Sequence, residues 1–320
     1  MELDDFWADK YPANINREID LNTYGTLIDL FKDSCCKYAN KPAFSHENST
    51  LSFAQLDKYS ASFATWLQRH TDLKKGDRIA IQLPNMLQFP IAVFGALRAG
   101  LIVVNTSTLY TAAEMEYQFK DSGCKAVIAL TNMGHLIQQV LPKTGIRYVV
   151  LGEEGDFFAF AKRLVMSRVD KYIYKKVPNY YLPDAISFLD TIRVNSSKFK
   201  EVDVFPDDVA VLQYTGGTTG ISKGAMLTHK NITSNMLQTY SVLATVLQIG
   251  RETILCPLPL THVFSFGVVS VGMMLGAHTV FVSNPRNTNA LIDKIESQAI
   301  TVILGANSLF VELINQSALS

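Results

Sequence analysis

Residues 74–105 read KKGDRIAIQLPNMLQFPIAVFGALRAGLIVVN, and their pattern decides the fold. Residues 74–83 form a glycine-containing turn that runs into a strand. Residues 86–99 follow as a helix stopped at Gly100, and LIVVN (101–105) is a buried, β-branched strand. The same unit recurs on both sides. In residues 51–70, Ser52 and Gln55 have capping-box spacing, and Phe53, Leu56, Phe63 and Leu67 return at near-helical intervals. Thr111 and Glu114 mark a second capping box, and KAVIAL (125–130) and IRYVVLG (146–152) are two further strands. Strands alternating with helices of this length predict an α/β fold: mostly parallel β-sheets flanked by helices, in βαβ layers. There is no internal repeat and no low-complexity tract.

The chain has 320 residues, with 29 Lys+Arg against 29 Asp+Glu. That neutral balance argues against a nucleic-acid partner, which normally shows as a basic excess. Hydrophobic residues at 48% and charged residues at 18%, below the roughly 25% of an average domain, supply ample core and exclude a disordered chain. Cys35, Cys36, Cys124 and Cys256 offer neither a disulfide framework nor zinc spacing, and no metal ligand set is identifiable. Reduced thiols fit a cytoplasmic protein. MELDDFWADKYP at the N-terminus is acidic and has no apolar signal-peptide core.

Two stretches test the soluble reading. Residues 263–282 contain no Asp, Glu, Lys or Arg, long enough to span a bilayer. Gly267, Gly272 and Gly276 interrupt them and His262 and His278 bracket them, which favours a buried helix and then a strand. Residues 155–181 carry Lys162, Arg163, Arg168, Lys171, Lys175 and Lys176 among Phe and Tyr. Such a segment suits peripheral contact with an anionic membrane, or a solvated helical excursion whose aromatics pack onto the domain.

Chemistry concentrates in residues 208–229, DVAVLQYTGGTTGISKGAMLTH. A strand ends at Tyr214 and Thr215. Gly216, Gly217, Thr218, Thr219, Gly220, Ser222, Lys223 and Gly224 then follow within nine positions. Glycines let backbone N–H groups turn toward an anion, threonine hydroxyls add donors, and Lys223 supplies a point charge for a phosphate oxygen. The order Ser222-Lys223-Gly224, followed by another apolar run, differs from Walker A, where Gly-Lys-Ser/Thr opens a helix. A flexible linker would need neither Lys223 nor strands on both sides.

YTGGTTGISKGAMLTH resembles the phosphate-binding signature of the adenylate-forming enzymes, which include acyl-CoA synthetases, luciferases and peptide-synthetase adenylation domains. The likeness extends through LSFAQLDKYS, LKKGDRIAIQLPNMLQFPIAVFGALRAGLIVVNTSTLYT, VPNYYLPDAISF and residues 256–266. Together these are most similar to bacterial long-chain fatty acyl-CoA synthetases. The resemblance implies that a fatty carboxylate attacks the α-phosphorus of Mg²⁺·ATP, giving acyl-AMP and pyrophosphate, and that the thiol of CoA then displaces AMP. Tyr214, Thr215 and the loop through Gly224 would hold ATP phosphates, with Lys223 as a catalytic charge. In CPLPLTHVFSFG (256–267), His262 would sit beside the acyl carboxylate and the α-phosphate; a histidine satisfied at a strand end is the plainer alternative. Thr261 departs from the Tyr that usually precedes this His. Phe266 falls where some relatives carry a bulky tunnel-gating residue, although a core Phe on a helix is the commoner case. Val268, Val271, Leu275 and a GANSLF turn at 305–310 are candidates for the acyl wall or plain core.

The family's Tyr-Gly-x-Thr-Glu and Thr-Gly-Asp segments, its hinge and its small C-terminal domain are not in these residues. The expectation is therefore an incomplete large AMP-binding domain, inactive alone. Residues 1–200 would form a first α/β subdomain and 201–320 the start of a second carrying the phosphate loop. The rival readings are a non-catalytic fatty-acid- or nucleotide-binding remnant and a membrane-associated interaction protein on the inner face of the cell membrane; a homodimer stays open.

Overall fold

The computed structural model describes residues 10–11, 15, 19–20, 23–158, 177–216, 221–282 and 287–315. In chain order its elements begin α1 (Leu27–Lys37), β1 (Pro42–His46), β2 (Ser49–Ser52), α2 (Phe53–His70), β3 (Arg78–Gln82), α3 (Gln88–Arg98), β4 (Ile102–Asn105) and α4 (Ala112–Ser122). They continue with β5 (Cys124–Leu130), α5 (Gly134–Val140), β6 (Tyr148–Gly152), β7 (Ile186–Ser187), α6 (Phe188–Ile192), β8 (Val209–Thr215), β9 (Lys223–Thr228) and α7 (His229–Leu243). The last are β10 (Thr253–Cys256), α8 (Val263–Met274), β11 (His278–Phe281), α9 (Thr288–Ser297), β12 (Val302–Ile303) and α10 (Asn307–Ile314).

Local signals explain where the helices start. Thr26 with Asp29, Ser52 with Gln55, Thr111 with Glu114 and Thr228 with Asn231 all close capping boxes, satisfying orphan donors at the first turns. Phe53, Leu56, Phe63 and Leu67 are all buried along one face of α2. Its neighbour α3 is buried on every side, and the two helices cross closely. A Cβ on Gly95 would lie 2.7 Å from the Phe63 ring and 2.8 Å from the Ser60 carbonyl oxygen.

Two sheets flank this helical layer. The larger has the order β7-β6-β5-β3-β4-β8-β9 and is parallel except for the β8–β9 pair. The smaller has the order β12-β10-β11-β1-β2, parallel except for β1–β2. Neither sheet is drawn from one half of the chain. β1 and β2 join strands more than 200 positions later, while β8 and β9 complete the sheet of β3–β7. In the larger sheet the chain steps from β3 to β4 on one side and then to β5 on the other. Connections leave in opposite directions there, so a crevice opens outside the carboxyl ends of the strands.

The charge-free residues resolve into α8 and β11, separated by Gly276 in the left-handed region at φ +64°. Twelve helical residues reach about 18 Å, well short of the roughly 30 Å of a bilayer core. Among the described residues no helix is long and apolar enough to cross a membrane. One expectation is corrected: GANSLF does not form a turn throughout, because Asn307–Phe310 begins α10. Leu309 and Leu313 fall four apart and dock on the cluster of Leu255, Val280 and Leu291, so packing draws the segment into a helix. The six basic residues of 155–181 lie outside the described residues.

Candidate functional site

The edge of the larger sheet carries the glycine-rich segment. β8 is anchored by parallel pairing with β4, and β9 returns antiparallel, so that Thr215 faces Lys223 and Tyr214 faces Gly224. Gly217, Thr218, Thr219 and Gly220 lie outside the described residues; the two ends of their segment are described. Thr215 and Gly216 are exposed, with open space around Gly216. The Ser222 hydroxyl donates to the Thr215 carbonyl oxygen at 2.9 Å and closes the base of the turn. Lys223 opens β9, exposed and in no ion pair among the described residues. The segment therefore stands on two paired strands with a free ammonium group at its rim.

Tyr214 has a different place from the one its position suggests. Its ring is buried and its hydroxyl donates to Asp121 Oδ2 at 2.5 Å, toward α4. Burial, and then the carboxylate it bonds, push the phenol well above its usual range, so Tyr214 stays protonated as a donor. The ring also explains Gly224 opposite: a Cβ there would come within 2.9 Å of two ring carbons. A glycine is needed because the tyrosine occupies the space.

The second predicted segment follows β10 in the smaller sheet, and buried amides bring it to the first. Asn85, just beyond β3, donates from Nδ2 to the carbonyl oxygens of Cys256 (3.1 Å) and Leu258 (2.8 Å). Its Oδ1 accepts from the Leu260 N–H at 2.8 Å. Gln213, next to Tyr214, donates to the Thr261 carbonyl oxygen at 3.1 Å. Behind it the Asn105 amide donates to Gln213 Oε1 at 3.1 Å, and Gln118 of α4 donates to the Asn105 carbonyl oxygen at 3.0 Å. One hydrogen bond therefore ties the residue before Tyr214 to the residue before His262.

His262 is the N-cap of α8, exposed, and its Nδ1 accepts from the Phe264 N–H at 3.3 Å. With Nδ1 accepting, the neutral ring carries its proton on Nε2 and can donate to an oxyanion in the crevice. Phe266 and Val271 are buried on α8, as is Leu275 just past its end, whereas Val268 is half-buried. Cys256 is fully buried, and burial pushes its thiol up to about 12. No group of three or more His, Cys, Asp or Glu able to hold a metal occurs among the described residues.

The arrangement offers an exposed cation at Lys223 on one segment and an exposed imidazole at His262 on another, joined through the Gln213–Thr261 hydrogen bond. Sequence patterns point to neither Asn85 nor Gln213 as site-builders, nor to Tyr117 and Asp121 of α4. The available signal is a polar residue inside an apolar run, as in LPNML and VAVLQY, which buries only with partners.

A family model described as AMP-binding enzyme matches residues 31–320. The chain is 41% identical over 315 residues to a long-chain-fatty-acid–CoA ligase of Yersinia pestis, covering 98% of this chain and 56% of that protein. It is also 41% identical over 312 residues to the enzyme of that name from Escherichia coli O157:H7, covering 97% and 55%. Among solved structures, a long-chain-fatty-acid-CoA ligase from Archaeoglobus fulgidus superposes with TM-score 0.77 at 23% identity, over 97% of this chain and 57% of that one; this likeness shows the fold. The chain thus spans about half the length of the relatives it matches.

Proposed function

This chain belongs to the AMP-binding enzyme family, and we propose that it is the phosphate- and acyl-binding part of a long-chain fatty acid–CoA ligase, an acid–thiol ligase. The reaction is activation of a fatty acid by ATP to acyl-AMP with release of pyrophosphate, then thioester formation with CoA and release of AMP. One observation carries the reading: the Gln213–Thr261 hydrogen bond sets the Tyr214–Gly224 hairpin beside the segment that bears His262.

The chemistry follows from those positions. Attack on the α-phosphorus places growing negative charge on a leaving pyrophosphate. The Lys223 ammonium and the hydroxyls of Thr215, Thr218 and Thr219 are the groups suited to hold it, with backbone N–H groups of the glycine-rich segment, while the Ser222 hydroxyl stays on the Thr215 carbonyl. The His262 Nε2 proton suits orientation of the acyl carboxylate. Mg²⁺ enters with the ATP phosphates; the described residues include no cluster that would hold it independently. Phe266, Val268 and Val271 of α8, with Leu275 just past its end, are the residues suited to an acyl wall, where each buried methylene of an alkyl chain gains roughly 0.8 kcal/mol. Residues 1–320 are on this reading an incomplete large AMP-binding domain whose two sheets each mix early and late strands, so the boundary expected near residue 200 does not divide them; the protein works in the cytoplasm. Contact of residues 155–181 with the inner face of the membrane, and a homodimer, are further proposals that rest on charge pattern and family likeness.

The test is ATP- and CoA-dependent thioester formation across fatty acids of different length, run on the product of the whole reading frame that contains this sequence. Thioester formation that rises with acyl length supports the reading; activity only with short or aromatic acids refutes it.

A further inference from the structure

One helix bonds to both arms of the hairpin. Tyr117 and Asp121 stand four apart on α4 and so share a face. The Tyr117 hydroxyl donates to the Ser222 carbonyl oxygen at 2.9 Å, immediately before Lys223. Asp121 accepts from the Tyr214 hydroxyl, and the Tyr214 ring lies against Gly224, immediately after Lys223. Lys223 is thus bracketed in sequence by Ser222, which α4 bonds directly, and by Gly224, which lies against a tyrosine ring that α4 bonds. The same helix reaches the other half of the crevice through Gln118, Asn105 and Gln213 to Thr261.

The helix is well placed for such a task because it is itself held at both ends. Its N-terminus has the Thr111–Glu114 capping box, and at its C-terminus Arg78 Nε donates to the Ser122 carbonyl oxygen at 2.7 Å. Met115 and Phe119 are fully buried beneath it. A binding group works best when held in place by packing and hydrogen bonds from rigid elements around it. Yet Tyr117 is 40% exposed and contributes little to the core, so its hydroxyl has no evident structural task beyond the bond to Ser222.

We infer that Tyr117 and Asp121 are positioning residues for phosphate engagement: α4 clamps the two flanks of Lys223 and fixes where its ammonium group stands. The inference rests on the reading of the hairpin as a phosphate site. Neither residue touches the nucleotide; both act through backbone and ring contacts on either side of the lysine.

The experiment titrates ATP with Mg²⁺ into the 320-residue chain and into Tyr117→Phe, Asp121→Ala, Asp121→Asn and Lys223→Ala. Tyr117→Phe and Asp121→Ala are expected to weaken ATP binding about three- to tenfold, the scale of one hydrogen bond. Asp121→Asn keeps an oxygen acceptor for the Tyr214 hydroxyl and should bind within about twofold of the unmodified chain. The thermal midpoint of Tyr117→Phe should stay within about 1 °C, as for other surface changes. Amide exchange at Ser222, Lys223 and Gly224, measured without nucleotide, should quicken severalfold in Tyr117→Phe. ATP affinity that depends on Lys223 but is unchanged in Tyr117→Phe and Asp121→Ala overturns the inference alone. ATP affinity indifferent to Lys223→Ala, or absent, overturns the phosphate reading and the inference with it. Unaltered exchange in Tyr117→Phe overturns the clamp whatever the nucleotide does.

Discussion

Replacing Asn85 by Ala should loosen the segment that carries His262 without touching it. The Asn85 side chain is 5% exposed and makes three hydrogen bonds, to Cys256, Leu258 and Leu260. Its loss leaves the Cys256 carbonyl and the Leu260 N–H in buried surroundings with no side-chain partner, while the half-buried Leu258 carbonyl can be rehydrated. At about 1–3 kcal/mol for each buried group left unsatisfied, the structure predicts a destabilisation of about 3 kcal/mol. Unfolding entropy of about 2.1 cal/mol/K per residue converts this to a drop in Tm of about 4–5 °C for a chain of this length. Circular dichroism melts measure it, and amide exchange at residues 257–262 should quicken before the rest of the fold. Asn85→Asp should be at least as damaging, because a carboxylate oxygen would then face two carbonyl oxygens. An Asn85→Ala protein that melts within about 1 °C of the parent, with residues 257–262 equally protected, would refute the claim that this amide holds the segment in place.

Other outcomes follow from the same contacts. His229 is buried at the start of α7, where its Nδ1 accepts from the Leu27 N–H at 3.3 Å, and burial lowers its pKa from the usual 6.5 to about 4. Because the unfolded chain takes up the proton first, His229 favours the fold above pH 6.5, and that contribution falls away as pH drops toward 4, by at most about 3 kcal/mol. In His229→Asn, which keeps an acceptor for Leu27, the fall in stability between those pH values should flatten; an equally steep fall would assign it to other groups. Gly224→Ala puts a methyl group against the Tyr214 ring and should cost about 1–3 kcal/mol, a Tm loss of roughly 2–4 °C, with exchange quickened at Tyr214 and Lys223. A melt indistinguishable from the parent would mean that the ring moves aside freely.

Much of the local architecture is legible in the sequence because its causes are local. The Ser52–Gln55 and Thr111–Glu114 boxes form as their spacing predicts, and Gly100 stops the helix before β4 with φ +75°. The strands on either side of the glycine- and threonine-rich segment pair antiparallel, with Lys223 opening the second. What stays hidden is set by distant pairing. Nothing near Pro42–His46 says that it lies beside β11, since that contact depends on the whole intervening chain. Tyr214 reads as a phosphate contact from its place in the motif, but its ring has a carboxylate partner 93 positions earlier. Asn85 and Gln213 look like breaks in apolar runs, and their meaning appears only when the carboxyl ends of two sheets are brought face to face. GANSLF has turn-forming residues and becomes helical because Leu309 and Leu313 find a core.

The central claim is that the hairpin ending at Lys223 binds the phosphates of ATP for acyl transfer. Fatty-acid-dependent exchange of pyrophosphate into ATP, compared between the product of the whole reading frame that contains this sequence and its Lys223→Ala variant, tests it most directly. The account predicts a loss of about 2–4 kcal/mol in transition-state stabilisation, roughly thirtyfold to several hundredfold in rate, the scale for removing one charge-stabilising donor. Exchange that proceeds at the same rate without the Lys223 ammonium would contradict it.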